Sequence, residues 1–417
     1  MFKKLFSTSK KPVKNQDQNH REIKSRGSSH AFNVPIISLN TSDRIYKFAY
    51  NNPIVNMAVN KIAKATAQAD INFVDKDNEF VDLGRVDPKV RRLWEKPNLK
   101  QTKHQFIKAI VKQLLLFSRV CILKNPNGTE LVVIPEGNFT VDYSNNPFMP
   151  IKGFEINFNE KNTYYKVNPV TGECNVLYIA EQNPNSLFEH HYEIEAIAQS
   201  INIVNYGLVW NSSLLNNGAK FSALVSVESK NELTRPSEEQ ISDVYEKMMA
   251  SYAGASNAGK VFMGQDLKIQ QASFSPKDMD YAELIRLNAF IISHYFDCPK
   301  QLVGVDEAST YNNLKEARLA LTQHGMMPVL KYVINFLNDN VVEPISLGSY
   351  KLKIDEHSIP IIAEDRIKQM GEAEKLTFIN DNEKRKQYGL PEVDGLDSFY
   401  KPSSYEDVFN PPVDENE

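Results

Sequence analysis

Apolar positions in this chain recur with two periods, and the switch between them divides it into regions. Behind Asn52-Pro53, an N-cap residue followed by a first-turn proline, Val55, Val59, Ile62 and Thr66 fall at helical spacing through about Ala67. Ile71–Val74 and Glu79–Leu83 then read as a small hairpin. A second helix is predicted over Thr102–Phe117, with Phe106, Ile110, Leu114 and Phe117 on one face. Strand-like runs follow at 119–124 and 130–134, around the turn signal Asn125-Pro126-Asn127-Gly128, and at 139–143, 151–158, 163–167 and 174–179.

The helical period returns at Ile194, Ile197, Ile201, Val204, Leu208 and Leu215, and Asn216-Asn217-Gly218 stops it. Lys220–Val227 reads as a strand, Thr234-Arg235-Pro236 opens a helix ending at Gly254, and 260–263 with 267–271 read as a strand pair. A long helix is predicted over Asp278–Phe296, with Leu284, Leu287, Ile291 and Ile292 apolar. The last major helix is expected to be capped by Asn312 or Asn313 and to reach Asn340. Gly325 and Pro328 give it a named cause for a bend. Helices and antiparallel strands are segregated, so the fold class is α+β. Residues 1–44 show no periodicity, and order is expected from about Ile45.

With 417 residues the chain exceeds one ordinary domain, and 41% hydrophobic content supplies a core of useful size. No apolar run approaches the roughly 20 residues needed to span a bilayer, so no membrane partner is expected. The start, Met1-Phe2-Lys3-Lys4-Leu5-Phe6, is basic but has no apolar stretch of the kind a secretory signal needs. Cys121, Cys174 and Cys298 lack paired spacing for zinc or disulfides, which fits a reducing cytoplasm. The net charge of -4 is uneven: residues 1–30 hold eight Lys/Arg against Asp17 and Glu22, leaving the rest near -10. That balance reads against strong phosphate gripping by the body. The basic start is either a solvated tail or an arm touching capsid or nucleic acid.

The apparent chemical motifs are weak. Gly254 through Gly259 and Lys260 has phosphate-loop spacing, but Val261 replaces the required Ser/Thr, and the helix and strand lie in reversed order. His190 and His191 are adjacent, so they point to different faces, and no third ligand has usable spacing. Cys298 with His294 one helical turn away leaves a cysteine hydrolase as a remote alternative, although a buried helix-end thiol is the plainer reading. Glu238-Glu239, Glu356 and Glu364-Asp365 read as solvated helix starts. No catalytic residue, metal site or cofactor is expected, and the chain reads as a non-enzyme.

From Trp210 to Asn340 the order of motifs resembles the portal proteins of tailed bacteriophages and gene transfer agents. The residues that carry the likeness are Asn52-Pro53, Trp210-Asn211 through Ala219, Cys298-Pro299, Leu302-Val303-Gly304 and Thr310-Tyr311-Asn312-Asn313. Leu376-Thr377, Asn382 through Arg385 and Tyr388 through Pro391 add a C-terminal signature, so the match runs over about 45–395. Ser118-Arg119, where the family often has a glycine-rich turn, and Pro184 through Leu187 depart from the pattern.

The resemblance implies a portal fold: an α+β wing (45–193), stem helices (194–217 and 278–298), an α/β clip (218–277), a tunnel loop (299–313), a kinked tunnel helix returning to the wing (314–360), and a helical crown with an acidic tail (361–417), behind a flexible basic tail (1–44). Lys300, Gln301, Val303, Asp306, Glu307, Ser309, Thr310, Tyr311, Asn312 and Asn313 would face DNA. Gly325 and Pro328 would kink the helix, and Gly254, Asn257, Gly259 and Lys260 would form a clip turn. The implied partners are further copies in a ring of twelve, double-stranded DNA without sequence preference, the terminase large subunit, a head–tail adaptor and the major capsid protein. The implied location is a virion capsid vertex, after synthesis in the bacterial host cytoplasm. A stem of sixteen residues from Tyr281 to Phe296 would span about 24 Å. A different virion ring or capsid component without DNA passage is the other structural reading.

Overall fold

The computed structural model describes residues 37–216, 223–227, 237, 267–271, 281–305, 310–373, 380–387 and 392–396. Order starts earlier than the periodicity suggests. Leu39 is fully buried, and Asn202 Nδ2 donates to the Ile37 carbonyl at 2.8 Å. Ile37 and Leu39 are too few to show a period, so the sequence boundary near residue 45 is corrected to at least residue 37. A helical run, Ser42–Arg44, and a π-helical turn, Ile45–Tyr50, lead into the first long helix.

Helix α1 (Pro53–Gln68) begins as the pattern requires. The Asn52 side-chain oxygen accepts from Ile54 N at 3.0 Å and Val55 N at 3.2 Å, satisfying donors that no helical turn can reach. Asn52 is itself fully buried, and its Nδ2 donates to Asn205 at 2.8 Å. Strand β1 (Ile71–Val74) follows; only the single bridge Val74–Phe80 and local turn bonds remain of the expected hairpin. The next helix, α2 (Pro88–Glu95), has no counterpart in the periodicity reading; Asp87 caps it and Val90, Leu93 and Trp94 are its buried face. Helix α3 (Lys103–Phe117) opens with a reciprocal capping box between Thr102 and Gln105. It packs along α1, and Phe106, Ile107, Ile110 and Val111 are buried.

Two antiparallel sheets complete this half. β2 (Arg119–Lys124) lies between β3 (Leu131–Ile134) and β7 (Val176–Ala180). The β2–β3 turn is held by Asn125, whose side chain accepts from Thr129 N at 2.7 Å, with Gly128 at φ 66°. β4 (Phe139–Asn146), β5 (Met149–Phe158) and β6 (Lys161–Lys166) form the second sheet over a small core of Cys121, Ile134, Phe139, Phe154, Ile156 and Val176.

A 3-10 turn, Glu193–Ile197, runs into α4 (Ala198–Asn216). β8 (Ala223–Val227) pairs with β9 (Leu267–Gln271), and the 260–263 run expected beside β9 lies outside the described residues. Helix α5 (Tyr281–Tyr295) packs on α4 and α1.

The final helix is built of unequal pieces: α6 (Tyr311–Ala320), a π-helical turn Leu321–Met326, α7 (Met327–Leu337), a second π turn Asn338–Val342, and α8 (Glu343–Ser346). Its cap is Thr310, not Asn312 or Asn313: the Thr310 hydroxyl accepts from Asn313 N at 3.4 Å. Each π turn ends two residues before a proline, Pro328 or Pro344, which cannot donate to the preceding turn. Asn338 ties the second π turn to β10 (Lys351–Ile354) by bonding both the carbonyl and the N–H of Leu352 (2.9 and 2.7 Å). β10 is the true ladder partner of β1. Two short helices, α9 (Pro360–Ala373) and α10 (Asp381–Gln387), close the described chain. One core runs from α1 and α3 through the inner faces of α4, α5 and α7.

Candidate functional site

Three structural features bear on function: the segment after α5, the two-sided apolar helix α5 itself, and a buried polar knot beside α3.

Just past the end of helix α5, Asp297 adopts φ 48°, while Cys298 N bonds back to the Ser293 carbonyl at 3.0 Å. A 3-10 turn, Lys300–Leu302, and Gly304 at φ 74° then lead toward the cap of α6. Lys300 and Gln301 are half-buried. Val303 is 1% exposed within the main core, so it anchors this segment and cannot face a bore; the sequence assignment is corrected there. Thr310, Tyr311, Asn312 and Asn313 are exposed, Tyr311 at 82%. Asp306, Glu307 and Ser309 lie outside the described residues, as do the clip residues Gly254, Asn257, Gly259 and Lys260.

Gly325 sits in the first π turn against the end of α5. A Cβ there would lie 3.1 Å from the Asp297 carbonyl oxygen, so glycine permits the two backbones to approach. A cavity of about 350 Å³ opens beside this junction, between Tyr295–Asp297, His324 and Pro328, and the end of α3. Glu181 lies on its rim, and burial together with neighbouring Glu193 pushes its carboxyl up.

Helix α5 buries Ala289, Ile292 and Phe296 against α4 and α1. On its other side Leu284, Leu287, Phe290 and Ile291 are 38–53% exposed, and Leu208 and Val209 of α4 are also open. Of the four residues noted as apolar along this helix, only Ile292 is covered.

The knot was not visible in the spacing. Glu136, 5% exposed, pairs with Arg119 through Nε at 2.9 Å and through Nη2. Tyr192 OH donates to the same carboxylate oxygen at 3.0 Å, and the guanidinium stacks on the Phe139 and Tyr192 rings. Burial pushes the Glu136 carboxyl up against the pull of Arg119. His190 Nε2 donates to the Phe117 carbonyl at 2.8 Å, and burial with nearby Arg119 lowers its pKa to about 4. His190 is therefore neutral and pinned to the end of α3. Ser118, the departure noted above, takes a left-handed φ of 54° at the end of α3. Its hydroxyl accepts from Glu193 N at 3.1 Å, which a glycine could not do.

Nothing here makes a cysteine nucleophile. Cys298 is buried and its thiol is pushed up to about 11 by burial, so it stays protonated at neutral pH. His294 is exposed and stacks on Phe290. Among the described residues no group of three His, Cys, Asp or Glu could hold a metal ion, and no helix is long and apolar enough to cross a membrane.

The family profile described as phage portal protein matches residues 53–389, most of the chain. The chain belongs to that family. The fold of this portal-family chain is similar to a chain from the neck of an empty GTA (gene transfer agent) particle, with a TM-score of 0.63 and 23% identity, covering 84% of this chain and 94% of that one. It also resembles the crystal structure of an HK97 family phage portal protein from Corynebacterium diphtheriae, with a TM-score of 0.52 and 15% identity, covering 76% and 96%. An uncharacterized protein of Rickettsia bellii is 27% identical over 355 residues, 84% of this chain and 89% of its own length. The mixed helix-and-sheet portal fold expected from the sequence is thus found, and the family is a structural one.

Proposed function

We propose that this chain closes into a ring, twelve copies expected, at one capsid vertex, and that duplex DNA passes along its axis during packaging and ejection. The terminase would dock on the clip and a head–tail adaptor would follow it. The observation that carries this reading is the two-sided apolar character of α5. A helix apolar on opposite faces needs two partners, and among the described residues the chain supplies only one. Head-to-tail contact between identical copies would cover the second face and generate a ring.

The segment Pro299–Asn313 is the proposed bore lining. Among its described residues the exposed ones, Gly304 and Thr310–Asn313, are uncharged, which suits a surface that DNA must slide past, since each phosphate contact adds sequence-independent affinity. The deciding experiment is electron microscopy of the purified protein. Rings with a through-channel wide enough for duplex DNA are expected, and particles without a central channel would remove the reading. The bore lining has its own test. Asp306→Lys with Glu307→Lys should slow packaging while rings still assemble, and unchanged packaging would take this segment out of the DNA path.

A further inference from the structure

The negative balance of the body hides a local exception. Between residues 85 and 112 stand nine Lys/Arg against Asp87 and Glu95, a net +7. With +6 in residues 1–30 and -4 overall, the remainder of the chain carries -17. The structure brings seven of the nine, Arg85 through Lys103, to one ledge formed by the lead into α2, α2 itself, the following loop and the start of α3, while Lys108 and Lys112 lie further along α3, where Lys112 bonds Tyr50. Arg85, Lys89, Arg92, Lys96 and Lys100 are exposed along it, and Lys103 Nζ lies 5.5 Å over the Trp94 ring, which joins the two helices.

Two nearby carboxylates are committed elsewhere, and Glu95 is the exposed acid of the ledge itself. Asp87 accepts from Lys89 N at 2.7 Å as the cap of α2. Glu343 of α8, which packs on α2, pairs with Lys351 at 2.8 Å. Among the described residues, none of the nine cations forms an ion pair with a carboxylate. A solubilising surface mixes signs, whereas a polyanion site concentrates one sign.

We infer that the α2–α3 ledge binds the sugar–phosphate backbone of duplex DNA on the outside of the protein, apart from any bore. The inference rests on the portal reading for its choice of polyanion, since DNA is what such a ring would meet. Base readout is not part of it: flexible lysines at a helix–loop–helix edge neutralise phosphates and carry no sequence code.

The test uses the full-length protein and two DNA forms, linear duplex and covalently closed circles. A closed circle cannot thread a closed ring, so its binding reports the outer surface alone. Wild-type protein should bind both, with affinity falling steeply between about 50 and 200 mM salt. Lys89→Ala, Arg92→Ala, Lys96→Ala and Lys100→Ala together remove exposed side chains only. This quadruple variant should weaken closed-circle binding at least about tenfold and flatten the log–log salt slope by about 3–4, near 0.9 per lost phosphate contact. The basic N-terminal residues are present in both proteins, so the difference reports the ledge.

Wild-type binding to linear duplex but not to circles would overturn the inference, and so would an unchanged salt slope in the variant. Lost ring assembly with unchanged circle binding would also overturn it and make the ledge a contact between copies. Circle binding by protein that images as single chains would sustain the ledge while removing the ring.

Discussion

The half built on α1 and α3 and the helix pair α4 and α5 use the same residue types to opposite ends. In α3, Phe106, Ile107, Ile110 and Val111 all find partners within the chain. In α5, Ile292 finds one while Leu284, Leu287 and Ile291 do not. Helical periodicity alone does not distinguish these situations. The difference lies in how many faces of a helix are apolar, and a second apolar face is information about assembly, not about folding.

The sharpest way to break that comparison is to spoil the uncovered face. Leu287→Asp with Ile291→Asp places two carboxylates on already exposed positions. The isolated chain should keep its far-ultraviolet circular dichroism and melting temperature within a few degrees. Ring assembly, read by light scattering or microscopy, should be lost. A folded variant that still forms rings would show that copies meet elsewhere.

The complementary change sits in the covered half. Ile110 is fully buried, so Ile110→Ala should cost about 2–5 kcal/mol, from lost transfer energy plus the cavity left behind. Denaturant unfolding should show that loss, whereas Leu287→Ala on α5 should lower monomer stability far less. Equal losses at the two sites would mean that α5 is already packed on both sides within one chain.

Much of the covered half was legible because its signals are local. Asn52-Pro53 caps α1, Thr102 starts α3, and the Asn125–Gly128 turn joins β2 to β3, each through groups a few residues apart. What was not legible depends on distant partners. β1 pairs with a strand some 280 residues later, which no nearby pattern announces. Helix α2 is only eight residues long, too short for its period to stand out against Arg and Lys. At the proposed bore, the small polar run Ser309–Asn313 is conspicuous in sequence, but burial of Val303 is decided by the core that Gly304 turns it into. The Glu136–Arg119–Tyr192 knot was missed for the same reason, as its members come from separate elements.

The join between the two halves gives a smaller test. Gly325 faces the Asp297 carbonyl, so Gly325→Val would push β-branched bulk against backbone that has little room to move. A loss of about 1–3 kcal/mol is expected, with the end of α5 and the first π turn losing amide-exchange protection before α1 and α3 do. Uniform loss of protection would mean that the junction does not separate two differently stabilised regions.

The smallest predicted effect depends on pH and belongs to the covered half. His190 stays neutral in the folded chain down to about pH 4, while its ordinary value is 6.5. Between those values the unfolded chain binds the proton and the folded chain does not. The stabilisation is therefore complete above about 6.5 and is lost as pH falls toward 4. Allowing for solvent screening of a partly exposed ring, the loss should be about 1–2 kcal/mol. His190→Gln keeps an N–H for the Phe117 carbonyl and removes the titration. Unfolding free energies at pH 7 and pH 4.5 should then differ less in the variant than in the wild type. Because the imidazole lies beside Arg119 and not on α4 or α5, the same acidification should leave the exposed apolar face of α5 unchanged. If acid dissociated rings of His190→Gln as readily as wild-type rings while the unfolding difference disappeared, the two halves would respond to pH independently. If the variant also protected the rings, the wing-side pin would be coupled to assembly, and the division drawn between the halves would fail at that point.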